Sequence, residues 1–351
     1  MAAVVVDQNT FGNTQHDIVR AGSSLRSPVV GEPVRIEFDV TAVAPAGATV
    51  EVGDLFLPAD AVDRASVDLV VCVPGGGMTR RWFDLPEQLP GRWSLARHLV
   101  EDHGLAVLTL DHLGTGDSPP PHDPYTLLPR VVAAVHAHVV ADAVARLRAG
   151  RLVPGTGPVT VGRVVGCGHS MGAMITVQQQ ARHRSYDGVA LLGFGGAGLP
   201  EHLNDVERSY AGDLDELELA LPTLVAARFG GALAPSKREV RDRPPDAPLT
   251  PGDLLGPATG ALLTLGGLTS MIPGTSDREM AAVDVPVLVA VGENDIVREV
   301  ERLPQLFSST PELTEFVLPG SGHNHVIAAE RLLLFDELGR WVGALPGPTH
   351  R

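Results

Sequence analysis

Three short apolar runs, each ending in or next to glycine, aspartate or serine, constrain the fold more than any other feature of the chain. They are VDLVVCVPGGG (67–77), LAVLTLDHLGTGDS (105–118) and VGRVVGCGHS (161–170). Runs this apolar are typical of strands covered on both faces, as in parallel sheets. Helical patterns separate or follow them, at 93–104, 127–150 and 173–183. This alternation predicts an α/β fold, a doubly wound and mostly parallel central sheet with helices on both faces.

The pattern continues toward the C-terminus after one long interruption. Strands are predicted at 188–196, 285–295 and 313–323, and a last helix at 326–343. Residues 197–281 separate two of these core strands by too long a stretch for one crossover, and Pro/Gly breaks divide it. We therefore expect three parts, namely an N-terminal arm at 1–33, a core at 34–196 and 282–351, and an inserted helical cap at 197–281.

The third apolar run leads into Gly168-His169-Ser170-Met171-Gly172, which fits G-x-S-x-G between a strand and a helix. A sharp strand-to-helix turn lifts a serine hydroxyl clear of the sheet, and the following helix presents free N–H groups to a developing oxyanion. A dinucleotide fingerprint would need a third glycine where Met171 stands. A P-loop would need lysine before Ser or Thr, whereas the only lysine is Lys237. A glycine–serine turn without chemical function is the remaining alternative.

In this context the chain resembles the α/β-hydrolase superfamily of the serine-nucleophile type, over roughly residues 50–196 and 282–345. The resemblance implies an α/β-hydrolase fold in which Ser170 is the nucleophile. It also implies that DHLGTGDS (111–118) is a structural brace rather than a catalytic element.

The same resemblance implies an acid after a late strand and a base before the last helix. VPVLVAVGEND supplies Asp295 as the acid, with Glu293 as the alternative, and GSGHNHV matches His323 as the base. We expect His325 at the start of the helix rather than in a metal-binding H-x-H pair. The order Ser170, Asp295, His323 is the order expected of this fold.

An oxyanion hole requires backbone N–H groups that approach the substrate closely. VPGGGMT follows the first apolar run, where the superfamily often has His-Gly, but Pro74 stands in place of that histidine. Gly75–Gly77 still permit a tight, exposed backbone. Matching Pro74-Gly75 to His-Gly assigns one donor to Gly76 and the other to Met171. The assignment within 75–77 is open by one position, and a plain loop is the alternative.

These residues together predict nucleophilic acyl transfer. We expect a serine hydrolase that cleaves a carboxylic ester of a neutral, apolar small molecule through an acyl-enzyme. A thioesterase or lactonase of a biosynthetic pathway is the first alternative. A non-catalytic ligand-binding homologue on the same fold is the second, because a fold does not dictate function.

The net charge of −15 argues against nucleic acid as a partner, because phosphate binding needs a basic footprint. The sequence contains no run long enough to span a bilayer and no leader pattern, so we expect a cytoplasmic protein. We expect a small-molecule substrate, no cofactor and no metal, and the chain is a possible homo-oligomer. Cys72 and Cys167 lie in apolar runs and are expected to be buried, reduced and non-catalytic.

Overall fold

The structure is a computed structural model that describes residues 33–236, 248–297 and 300–348, so the predicted arm at 1–33 lies outside the described residues except for Pro33. The described strands are β1 (Val34–Asp39), β2 (Val50–Phe56), β3 (Val67–Val73), β4 (Ala106–Leu110), β5 (Val161–His169), β6 (Gly188–Leu192), β7 (Leu233–Pro235), β8 (Ala261–Leu263), β9 (Val287–Gly292) and β10 (Leu313–Leu318). The described α-helices are α1 (Leu95–His103), α2 (Pro129–Arg148), α3 (Met171–His183), α4 (Asp205–Arg208), α5 (Leu214–Phe229), α6 (Thr264–Met271), α7 (Asp277–Ala281), α8 (Leu303–Leu306) and α9 (Arg331–Ala344). None of these helices is long and apolar enough to cross a membrane.

One large sheet dominates the described part of the chain. Its strands run in the order β1-β2-β4-β3-β5-β6-β9-β10. Every pair from β4 to β10 is parallel, whereas β1 with β2 and β2 with β4 are antiparallel. The predicted mostly parallel sheet is therefore confirmed. Because β5 lies between β3 and β6, the turn after β5 opens at the middle of the carboxyl edge, where ligands bind in open α/β sheets.

Helices cover both faces of this sheet, as the sequence predicts. One buried core includes Val135 of α2 and Met174 of α3, and the other includes Leu99 of α1 and Leu338 of α9. α1 ends at Gly104, which adopts the left-handed conformation with φ 67°. Such a C-terminal cap matches the helix end that the sequence pattern indicates.

The turn after β4 is tied to the sheet by a buried ion pair. Asp111 accepts hydrogen bonds from the backbone N–H groups of Arg80 at 2.8 Å and of Asp117 at 2.9 Å, and it also pairs with the Arg80 guanidinium. Arg80 lies 2.7 Å from Asp54 on β2 as well. A Cβ on Gly116 would lie 2.1 Å from the Asp111 carboxylate, so only glycine fits there. These contacts give Asp111 the bracing role that the motif implies.

The described residues of 197–281 build a small apolar cluster, against which Tyr125 and Leu128 also pack. Leu217, Leu221 and Val225 of α5 pack with Leu265 and Leu268 of α6 in a separate apolar cluster. The segment also contains the antiparallel pair β7–β8, which the sequence pattern does not predict. Strands of three residues are too short to show a hydrophobic period.

Several buried ionisable side chains lie close to β2, β4 and β5. His112 and His136 stack with ring centroids 5.1 Å apart, and His136 Nε2 lies 3.6 Å from Glu51 Oε1. Burial lowers the pKa of His112 to about 4 and lowers the pKa values of His136 and His169 well below their usual range. Burial also raises the pKa of Glu51 well above its usual value, with the Asp111 charge adding to the effect. All three histidines are therefore neutral in the folded protein near pH 6.

We expect the free energy of unfolding to rise with pH between about pH 4 and 6.5. Below the unfolded pKa of about 6.5, unfolded histidines take up protons that His112, His136 and His169 cannot take up when folded. The stability present above this window is lost as the pH falls through it. Glu51 has the opposite effect on the slope, because its raised pKa lets the folded protein hold one proton that the unfolded chain releases. The three histidines together outweigh this single proton.

His136→Gln should reduce this slope by about one proton, which is ~1.4 kcal/mol per pH unit. Urea unfolding at several pH values between 5 and 6.5 measures it. His202→Gln is the matched control, because the His202 side chain is 56% exposed. Equal slopes for wild type and His136→Gln would show that His136 titrates normally in the folded state.

Candidate active site

The turn between β5 and α3 holds Ser170 in a conformation that few non-glycine residues adopt. Its φ is 53° and its ψ is −122°. A Cβ on Gly168 would lie 2.5 Å from Ala173 Cα, and a Cβ on Gly172 would lie 2.3 Å from Val73 O. Neither position admits a side chain, which explains sterically why the serine is flanked by glycines. The strained turn raises the Ser170 side chain at the N-terminus of α3.

Three side chains that are far apart in the sequence meet at the carboxyl edge of the sheet. His323 Nε2 lies 2.9 Å from Ser170 Oγ, and His323 Nδ1 lies 2.7 Å from Asp295 Oδ1. With its proton on Nδ1, the imidazole donates to the carboxylate and accepts from the hydroxyl. Glu293, the alternative acid, instead accepts the N–H of Gly320 at 2.8 Å. The structure therefore brings Ser170, His323 and Asp295 together and leaves Glu293 outside the group.

Asp295 also binds a second histidine, which sequence reasoning assigned to the helix start alone. His325 begins a 3-10 turn, and its Nε2 lies 2.8 Å from Asp295 Oδ2. Burial raises the pKa of Asp295, but hydrogen bonds from His323, His325 and the Gly292 N–H outweigh it, so the pKa lies well below its usual range. The H-x-H spacing is the feature of the sequence that could have indicated this contact, because two histidines so close together can both reach one carboxylate.

Aromatic side chains contact the loop that carries His323. His169 Nε2 lies 2.9 Å from the His323 carbonyl oxygen, and the His169 ring stacks on Trp82 with centroids 4.1 Å apart. Trp82 Nε1 donates to Asn324 Oδ1 at 3.2 Å. These contacts hold the His323 carbonyl and the Asn324 side chain, so the position of the imidazole does not depend on Asp295 alone.

The two predicted oxyanion donors lie close to each other beside Ser170. A Cβ on Gly76 would lie 3.8 Å from Met171 Sδ and 3.9 Å from Met171 Cβ. Among the hydrogen bonds of the described residues, none has the N–H of Gly76 or of Met171 as donor. His112 Nε2 lies 2.9 Å from Pro74 O and steadies the loop that carries Gly76. Two N–H groups without internal partners beside a hydroxyl are suited to binding an oxyanion.

A small cavity opens at the hydroxyl. It has a volume of about 40 Å³ and is lined by Ser170, His323, residues 193–199, Ser270 and residues 296–297. Apart from His323, these lining residues have no ionisable side chains. The cavity therefore suits a small, uncharged group attached to the carbon that the serine would attack.

Comparisons with known proteins bear on the sequence family and on the fold. The sequence profile described as the alpha/beta hydrolase family matches residues 70–333. No curated protein matches the sequence.

Three solved structures illustrate the similarity. A thermophilic esterase from Thermogutta terrifontis is 15% identical with a TM-score of 0.53, covering 90% of this chain and 99% of that chain. A monoacylglycerol lipase from Paleococcus ferrophilus is 16% identical with a TM-score of 0.53, covering 90% of this chain and 100% of the lipase. An N-acyl homoserine lactonase is 14% identical with a TM-score of 0.52, covering 91% of this chain and 100% of the lactonase. At such identities the likeness shows the fold alone, and it confirms the predicted α/β-hydrolase architecture.

Proposed function

Because this chain belongs to the alpha/beta hydrolase family, we propose that it is a serine hydrolase that cleaves a carboxylic ester of a neutral, apolar small molecule through an acyl-enzyme. The observation that carries the proposal is the continuous hydrogen-bonded chain from Ser170 through His323 to Asp295. A ligand-binding homologue without activity has no need of a base and an acid that are hydrogen-bonded in a chain to the serine.

In the proposed mechanism, Ser170 Oγ attacks the ester carbonyl carbon while its proton passes to His323 Nε2. The carbonyl π electrons move to oxygen, and the N–H groups of Gly76 and Met171 bind the resulting oxyanion. Collapse of this intermediate breaks the C–O bond, and His323 returns the proton to the leaving alkoxide. Water then attacks the acyl-enzyme with His323 again as base, which releases the acid and restores the hydroxyl. Asp295 holds the imidazole tautomer and stabilises its charged form throughout.

We further propose that residues 197–281 cap this site. Gly198, Leu199 and Ser270 of this segment line the cavity. Leu262 of β8 lies next to Gly76, one of the predicted oxyanion donors, because its Cδ1 would be 2.9 Å from a Cβ on that glycine. An apolar wall from the segment next to the reacting carbonyl favours a neutral substrate and limits the length of its acyl group.

A fluorophosphonate probe is expected to label one residue, Ser170. Labelling should disappear in Ser170→Ala and fall strongly in His323→Ala, because the hydroxyl then lacks a base. Ser270→Ala is the matched control, since Ser270 lines the same cavity but its hydroxyl donates to Gly267 O at 2.9 Å. Intact-mass analysis measures the adduct. A wild-type protein that takes up no label favours the non-catalytic homologue.

A chain-length panel of p-nitrophenyl esters should favour short acyl groups. We expect kcat/KM for the acetate or butyrate to exceed that for the dodecanoate by about 10-fold or more, because a misfit worth ~1.4 kcal/mol already gives that ratio. Leu199→Ala should shift the preference toward longer chains by widening the cavity. Ser170→Ala supplies the background rate, and rates that rise steadily with chain length would contradict the assignment of this cavity to the acyl group. Matched thioesters and lactones in the same panel test the thioesterase and lactonase alternatives.

His325→Asn should lower kcat about 10-fold with little change in KM, because one hydrogen bond to a charged group is worth ~1.5 kcal/mol. His325 acts through Asp295 and touches no substrate, so binding should be unaffected. His202→Asn is the control on an exposed histidine. If kcat is unchanged in His325→Asn, the second hydrogen bond to Asp295 has no positioning role.

A further inference from the structure

Two histidines and an aspartate converge where α1 packs against α9, outside the site described above. His98 Nε2 lies 2.7 Å from Asp336 Oδ1, and His103 Nε2 lies 3.4 Å from the same oxygen. One ring nitrogen of each histidine and one oxygen of Asp336 all lie within 4.8 Å of one another. Two imidazoles and a carboxylate aimed at one point form a donor set that Zn²⁺ and similar ions prefer.

A second carboxylate stands behind the first histidine. Asp102 Oδ2 lies 3.1 Å from His98 Nδ1, the ring nitrogen that is not directed at Asp336. Histidines that bind metals commonly have a carboxylate near the other ring nitrogen, which fixes the tautomer. This contact lacks the alignment of a hydrogen bond, and Arg92 pairs with the same carboxylate. A cation that binds Nε2 must displace the proton that Nε2 donates to Asp336, and the nearby Asp102 charge then favours a proton on Nδ1.

The surroundings give such an ion a route from solvent to these side chains. A Cβ on Gly339 of α9 would lie 2.3 Å from His103 Cγ, so glycine is what allows the ring to rest on that helix. The Asp336 side chain is 49% exposed, whereas His98 is only 4% exposed. His103 is also the last residue of α1, and the negative end of a helix dipole favours a cation.

We propose that His98, His103 and Asp336 bind a divalent transition-metal ion of the Zn²⁺ class, with water as a fourth ligand. Tetrahedral bonds of ~2.0–2.1 Å separate neighbouring ligand atoms by about 3.3 Å. The distance of 3.4 Å between His103 and Asp336 matches this geometry, whereas His98 and Asp336 move slightly apart to admit the ion. The nitrogen donors disfavour Ca²⁺ and Mg²⁺, which prefer oxygen ligands.

Asp336 offers a carboxylate oxygen that already lies 2.7 Å from His98 Nε2 and 3.4 Å from His103 Nε2. The ligands come from helices that are remote in the sequence, which is why sequence analysis predicted no metal. An ion here links α1 to α9, the helix that follows the loop carrying His323 and His325. Its expected effect is on stability, not on a step of the chemistry.

The test adds ZnCl₂ alone to the metal-stripped full chain. We expect one ion per chain by calorimetry, a rise in Tm of about 2–5 °C at saturation, and a Co²⁺ absorption spectrum typical of tetrahedral coordination. Asp336→Asn keeps the size of the side chain and removes its charge, and His103→Gln removes one nitrogen ligand. Both variants should lose the ion and the shift in Tm, whereas His202→Gln, on an exposed histidine, should keep them.

Two results would overturn the proposal. One is the absence of saturable zinc binding to the wild-type chain. The other is binding that persists in both Asp336→Asn and His103→Gln, which would place the ion elsewhere, for instance on His323 and His325. Because the readouts are binding and unfolding, their outcome is independent of whether the chain hydrolyses esters.

Discussion

The site depends on how closely the first turn of α3 approaches the end of β3. A Cβ on Gly172 would lie 2.3 Å from Val73 O and 2.4 Å from Pro74 O, so backbone meets backbone there. Any side chain would push the helix away from the sheet and carry Ser170 with it. The same approach sets Met171 beside Gly76. One steric constraint therefore positions both the hydroxyl and the two N–H groups next to it.

Asp295 is the second element on which the arrangement depends. It is 2% exposed and accepts hydrogen bonds from His323, His325 and the N–H groups of Gly292 and Val297. A buried carboxylate is costly unless such donors satisfy it. Because the donors include both histidines of the 321–327 loop, the carboxylate fixes that loop as well as the imidazole. Removing it would leave two imidazoles without their shared partner, so Asp295 contributes to folding and to the proposed chemistry together.

Much of this could be predicted from the sequence, for physical reasons. The segments 67–73 and 161–169 are apolar on both faces because helices cover both faces of the sheet. That pattern is what predicted a mostly parallel sheet between two layers of helices. Ser170 could be named because a tight strand-to-helix turn demands its glycines, whereas Asp295 and His323 were named through the resemblance to the α/β-hydrolase superfamily. The fold class follows from the same pattern, and membership in the family agrees with it.

What escaped prediction depends on tertiary placement. His325 shares Asp295 only because a 3-10 turn directs its ring inward, and no local pattern encodes that direction. β7 and β8 are too short to show a period. His98, His103 and Asp336 meet because α1 packs on α9, a contact between segments remote in the sequence.

A crystal structure of the chain after reaction with a fluorophosphonate tests the role of Ser170 most directly. We expect a phosphorus atom bonded to Ser170 Oγ, with the phosphonyl oxygen within about 2.7–3.1 Å of the N–H groups of Gly76 and Met171. His323 should remain in contact with Asp295 and face the adduct. An adduct on another residue, or a phosphonyl oxygen directed into solvent, would contradict the proposed site.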